Sequence, residues 1–198
     1  MGKRIYIILS NTGTLLSKAI GMYTKKELNH ASIAFDEELN EMYSFGRKSI
    51  HNPFNAGLIK ENPMEGLFQR ATCAIYACEV TDSEYMRMKS KISQMEQQKQ
   101  LYKYNLIGLV LVAINIEIER ENAFFCSQFV ATIMKECPSS QLQVAPPLVQ
   151  PHHFEQLSAL TLKYKGNLQT YVSSRREIEQ PIHISDWRKN VFSIANFM

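Results

Sequence analysis

The stretch ENAFFCSQFVATIMKE, residues 121–136, sets Cys126 where a polar approach meets an apolar run. Phe125, Phe129, Ile133 and Met134 recur near helical spacing, which predicts a helix with Cys126 in its first turn. Unpaired N–H groups and the helix dipole stabilise a thiolate at that position, lowering a cysteine from its free value of about 8.5. The backbone N–H of the same residue could also serve an oxyanion. A cysteine packed as a small apolar side chain would give the same local pattern, so chemistry requires a second residue. His30 is the candidate, at the start of a strand-like run, preceded by Asn29 and followed by the small residues Ala31 and Ser32. An imidazole there can activate a thiolate docked against the sheet, provided a neighbouring polar group fixes its tautomer. A surface histidine at a strand end is the competing reading.

The elements that must position these two residues are legible in outline. RIYIIL, residues 4–9, predicts a first strand ending at the turn SNTG, and LLSKAIGMYT, residues 15–24, a short helix. Residues 30–45 read as a β-hairpin with an acidic turn. If Ala34 faces Asn40, His30 lies directly across from Ser44, making Ser44 the candidate to orient the imidazole. Residues 46–70 carry Gly46, Pro53, Gly57, Pro63 and Gly66 without a sustained period and read as a long irregular excursion lining the site. ATCAIYACEV, residues 71–80, predicts a buried strand. A capping box from Thr81 to Glu84 then opens a helix whose Tyr85, Met88, Ile92, Met95 and Tyr102 form one apolar stripe, with methionine as core filler. After the Cys126 helix the chain breaks at CPSS and APPLVQP and returns to strand-like runs at ALTLKY, LQTYVS and PIHIS. Strands on both sides of two helices, without a regular βαβ alternation, indicate α+β.

Composition bounds the rest. A chain of 198 residues, 45% hydrophobic and 21% charged, fits one folded domain spanning residues 1–198. A net charge of +3, dispersed rather than striped, gives no electrostatic footprint for nucleic acid. The apolar run Ile5–Leu9 is too short for a signal-peptide core, and Leu106–Ile114 is about half a membrane span, so a cytoplasmic location with no transmembrane segment is expected. Four cysteines in a chain able to build a core are expected as reduced thiols. Cys73 and Cys78 lie five positions apart on one strand and so on opposite faces; His152 and His153 also diverge if extended; neither pair suggests a metal site. GTLLSK lacks a phosphate-loop pattern, and no cofactor is implied.

A cysteine helix with a strand histidine is the pairing of papain-type sites, here in the order His then Cys, as after circular permutation. The segments NHASIAF, EMYSFGR, LYKYNLIG and FFCSQFVATIMK, with PPLVQPHHF more loosely behind them, resemble the permuted papain-fold branch of the NlpC-type cysteine peptidase superfamily, in particular the YiiX-like proteins. The resemblance covers residues 5 to about 155 and leaves the tail uncovered. It implies an antiparallel sheet or partial barrel packed on the cysteine helix. It also implies Cys126 as nucleophile, His30 as general base, and a third polar residue, often Glu in that branch, orienting the imidazole. Ser44 occupies the aligned position, leaving three readings: Ser44 orients His30 weakly, Glu41 or another acid substitutes, or catalysis is slow or lost. Tyr104 and Asn105 would contact a small peptide or acyl substrate. The activity implied is a peptidase or amidase, with thioester-forming acyl transfer or lipid hydrolysis and a catalytically degenerate binding module as alternatives. The sequence is silent on oligomeric state.

Overall fold

The computed structural model describes residues 2–13, 26–47, 56–101, 103–104, 123–138 and 142–179. In chain order these form β1 (Lys3–Asn11), β2 (His30–Ala34), β3 (Met42–Arg47), β4 (Ala56–Glu61), β5 (Thr72–Val80), α1 (Asp82–Gln97), β6 (Lys103–Tyr104), β7 (Ala123–Phe124), α2 (Cys126–Met134), β8 (Thr161–Asn167) and α3 (Leu168–Glu179). Six strands make an antiparallel sheet in the order β4-β3-β2-β1-β5-β8, while β6 and β7 pair separately in parallel. The architecture is α+β, as composition and pattern suggested.

Both faces of this sheet are covered, which explains why β1 is buried from Ile5 to Ser10 without alternation. Ile5, Ile7, Leu9, Ala31, Ile33 and Phe45 point to one face, where they meet Met88, Ile92 and Met95 of α1 and Phe129, Val130 and Ile133 of α2. Tyr6, Ile8, Ala34, Met42 and Ile75 point to the other, beneath Leu168, Tyr171 and Val172 of α3. The capping box opening α1 is present: Thr81 Oγ1 accepts from the Glu84 N–H, and Glu84 accepts from the Thr81 N–H.

Three expectations need correction. Ile33 pairs with Tyr43 and Ala34 with Met42, so the hairpin register is two residues from the one that sets His30 against Ser44. The cause is the turn: the Asp36 carboxylate accepts the N–H groups of Asn40 at 2.7 Å and Glu41 at 2.6 Å, and Leu39 adopts φ 60°, which lengthens the loop. A shift of two preserves the face, so Ser44 stays on the side of His30. Next, the excursion at residues 46–70 contains β4, which pairs with β3 from Met42↔Glu61 to Arg47↔Ala56. An edge strand of mixed polarity that begins Ala-Gly carries little periodic signal. Finally, LQTYVS is the start of helix α3 rather than a strand. Leu168, Tyr171 and Val172 share a helical face, and the Asn167 side chain accepts the Thr170 N–H at 3.1 Å, capping the helix.

The tail left uncovered by the resemblance therefore adds an edge strand and the helix that closes the second face. His152 and His153 lie in a 3₁₀ helix, Pro151–Gln156, not an extended segment, and their rings are 4.3 Å apart. The helix expected at residues 15–24 and the strand expected at PIHIS lie outside the described residues.

Candidate active site

Cys126 occupies the first position of α2, after Phe125 with φ −111° and ψ 169°. Phenylalanine has no side-chain oxygen to cap the helix, so first-turn N–H groups remain free for another acceptor. The Cys126 sulfur takes one of them, from Ser127. The Ser127 hydroxyl meanwhile donates to the Val149 carbonyl at 2.6 Å, tying the helix start to the segment after the proline turn Pro146–Leu148.

The sheet supplies the rest. Pairing between β2 and β3 runs through Ile33↔Tyr43 and Ala34↔Met42, and at the other end of β2 the Ala31 N–H donates to the Cys126 sulfur instead. His30, the first residue of β2, hydrogen-bonds Cys126 and also donates through Nε2 to Glu61 Oε1 at 2.9 Å. With Nε2 engaged by Glu61, the sulfur falls to Nδ1. The ring of Phe68 lies against the imidazole, with centroids 6.1 Å apart. Glu61, opposite Met42 on the edge strand, is fully engaged: Ser32 Oγ donates to Oε2 and Ser44 Oγ to Oε1, each at 2.5 Å. These residues meet because His30, Ser32, Ser44 and Glu61 all point to one sheet face, with Glu61 the diagonal neighbour of Ser44.

The site is nearly dry, with the His30 side chain 17% exposed, that of Glu61 3%, and Cys126 4%. Burial disfavours the imidazolium, but the charge of Glu61 and the hydrogen bonds His30 makes to Cys126 and Glu61 outweigh it and push His30 up to about 10. Burial likewise disfavours a thiolate at Cys126; the hydrogen bond and charge of His30, with the N–H groups of Ala31 and Ser127, reverse that and lower the thiol. The arrangement favours an imidazolium–thiolate pair backed by a carboxylate. Two buried side-chain oxygens without a hydrogen-bond partner flank it: Ser10 Oγ, directly across from His30, and Gln128 Oε1, two residues beyond Cys126.

Of the residues singled out from sequence, Cys126 and His30 are brought together. Ser44 reaches His30 through Glu61 rather than directly. Glu41 lies away from the site, paired with Lys89 at 2.5 Å. Asn105 and the Tyr104 side chain lie outside the described residues. Glu61 escapes a reading from sequence because its segment, residues 46–70, has the pattern of a loop. Comparison with protein-family models, curated proteins and solved structures found no match to this chain. Among the described residues, no helix is long and apolar enough to cross a membrane, and no three His, Cys, Asp or Glu side chains are grouped to hold a metal ion.

Proposed function

We propose that this chain is a cysteine hydrolase of the peptidase or amidase type, built as a circularly permuted papain-like fold, with Cys126 as nucleophile, His30 as acid–base and Glu61 orienting His30. The observation that carries the reading is the continuous hydrogen-bonded line from the helix-start thiol through His30 to a buried carboxylate 2.9 Å from its far nitrogen. A structural cysteine has no need of such a line, and the carboxylate removes the main reason to favour a degenerate binding module.

In the reaction, the Cys126 thiolate attacks an amide carbonyl carbon, forming a C–S bond while the carbonyl electrons move to oxygen. The Cys126 backbone N–H, at the first helical position, donates to that oxyanion. Collapse breaks the C–N bond, and the leaving nitrogen takes a proton from the His30 imidazolium. His30 then removes a proton from water, the resulting hydroxide attacks the thioester, and C–S cleavage returns the thiolate with a carboxylic product. The substrate is a small peptide, with a cell-wall-derived peptide among those suggested by the YiiX-like resemblance. Acyl transfer shares the first half of this sequence, with another acceptor replacing water.

The test is intact-mass analysis after rapid mixing with activated acyl esters and peptide amides. A transient acyl adduct on Cys126, released by hydroxylamine and absent from Cys126→Ala, is the expected result. Turnover that persists in Cys126→Ala, or acylation confined to other residues, would remove Cys126 from the mechanism.

A further inference from the structure

An open cavity of about 330 Å³ lies where the turn joining β2 to β3, the end of β4 and helix α3 come together. Leu39 and Pro63 give it apolar wall, and Asn40, Lys60, Glu61, Asn62 and Arg176 supply its polar groups. The frame is pinned at three points: the Arg176 guanidinium donates to Asn40 Oδ1 at 3.2 Å, Gln169 Nε2 to the Met64 carbonyl at 3.3 Å, and the Tyr171 hydroxyl to the Glu37 carbonyl at 3.1 Å. The Asp36 carboxylate holds the turn itself. Segments distant in sequence are thus already tied together around the cavity, and a ligand need not assemble them.

The hydrogen-bonding inventory of this wall is one-sided. Each side-chain acceptor atom already holds a donor from within the protein: Asn40 Oδ1 from Arg176, Asn62 Oδ1 from the Met64 N–H at 3.0 Å, and the two Glu61 oxygens from His30, Ser32 and Ser44. What remains is all donor. The amide NH₂ groups of Asn40 and Asn62 and the rest of the guanidinium are left over, together with the Lys60 ammonium, which has no hydrogen bond or ion pair among the described residues. The acids of the neighbouring turn do not answer these charges. Asp36 is engaged by backbone N–H groups, Glu37 pairs with Arg175 at 3.0 Å, Glu41 pairs with Lys89, and Glu38 does not line the cavity. Two cations with surplus N–H donors are complementary to an oxyanion, and the planar fork of an arginine matches carboxylate and phosphate alike.

We propose that this cavity is a second ligand site, taking a small oxyanion, either a carboxylate or a phosphate group, between Lys60 and Arg176. It goes beyond the thiol–imidazole reading and does not rest on it. Glu61 borders both places, but its carboxylate is held by His30, Ser32 and Ser44, so the ligand meets the cations. Lys60 and Arg176 are both exposed, so water screens each contact and the affinity is on the order of millimolar.

The experiment is an NMR titration of the isotope-labelled full chain with sodium phosphate and, separately, with sodium succinate, the ionic strength being held constant with sodium chloride. Saturable shifts of the Asn40 and Asn62 side-chain amides and of Arg176 Nε are expected, with a dissociation constant on the order of 1 mM. Lys60→Gln and Arg176→Gln should each weaken binding about fivefold, and the double variant should show no saturation. Both positions are at the surface, so the variants keep the fold, which their spectra report directly. Saturation by phosphate alone supports the site with a phosphate-bearing ligand, and saturation by succinate alone supports it with a carboxylate-bearing one. Shifts that grow linearly with either anion, saturation undiminished in both variants, or shifts confined to the start of α2 would overturn the proposal. Every arm reads binding rather than turnover, so the outcome is separate from whether Cys126 is a nucleophile.

Discussion

Cys126 and Cys73 are both free, both buried, at 4% and 1% exposure, and both set against the same sheet, yet their thiols are driven in opposite directions. Burial pushes Cys73 up to about 12, with only a backbone hydrogen bond from Gly166 in opposition. Cys78, on the other face, is also pushed up to about 12 by burial, and its neighbours Cys137, Glu84 and Glu79 add to the effect. Cys126 is also penalised by burial but faces an imidazolium and two N–H donors. Depth therefore decides little about which thiol is favoured as an anion. The decisive difference is whether the surrounding dipoles and charges are arranged for an anion, and in this fold only a strand end abutting a helix start provides that among these three cysteines.

The comparison breaks most sharply with His30→Ala. Without the imidazolium, Cys126 falls back toward a free thiol, which is only a few per cent thiolate at neutral pH, so alkylation there should slow about thirtyfold or more. Cys73 and Cys78 should stay slow in both proteins, since they become accessible only when the fold opens. Glu61→Gln keeps an acceptor for His30 but removes its charge, so a smaller loss at Cys126, about tenfold near neutral pH, is expected.

Stability against pH sharpens the contrast further. His30 is raised from 6.5 to about 10, so its contribution is complete below 6.5 and is lost as pH rises through 10. Cys126 is lowered from 9.0, so its contribution is complete above 9 and is lost as pH falls through its folded value. Above 6.5 and above the folded value of Cys126, up to 9, the folded pair and the unfolded pair each carry one proton, and the two dependences cancel. Thermal midpoints of the wild type should be level across that window relative to Cys126→Ala, in which His30 alone makes stability decline as pH rises. The smallest effect is expected from Thr81→Ala, which removes the helix cap of α1 far from the site. It should cost about 1 kcal/mol in denaturant melts, speed labelling of Cys73 and Cys78 through more frequent opening, and leave the native pH profile of Cys126 unchanged.

Much of this was readable from residue types. Cys126 at a helix start followed from the Phe125, Phe129, Ile133 spacing, and His30 at a strand start from its small neighbours, because each depends on a local pattern. Glu61 was not readable, since an edge strand paired on one side needs no alternation, and its role emerges only when three strands bring it beside Ser32 and Ser44. The hairpin register failed for a related reason: the Asp36 side chain, not the hydrophobic pattern, fixes the loop length. The start of α3 reads as a strand because its apolar residues Leu168, Tyr171 and Val172 fall in a short window, and the Asn167 side chain that caps the helix is the signal against it. Sequence disclosed the thiol and the imidazole and hid the groups that surround them, which come from distant segments.

The central claim is that Cys126 is a thiolate at neutral pH because His30 is its charged partner. The most direct test is iodoacetamide labelling of the native protein across pH, read at each cysteine by mass spectrometry in wild type and His30→Ala. Fast labelling of Cys126 alone, with an inflection well below that of a free thiol and lost in His30→Ala, is the expected result. Labelling of Cys126 no faster than Cys73, or unchanged without His30, would contradict it.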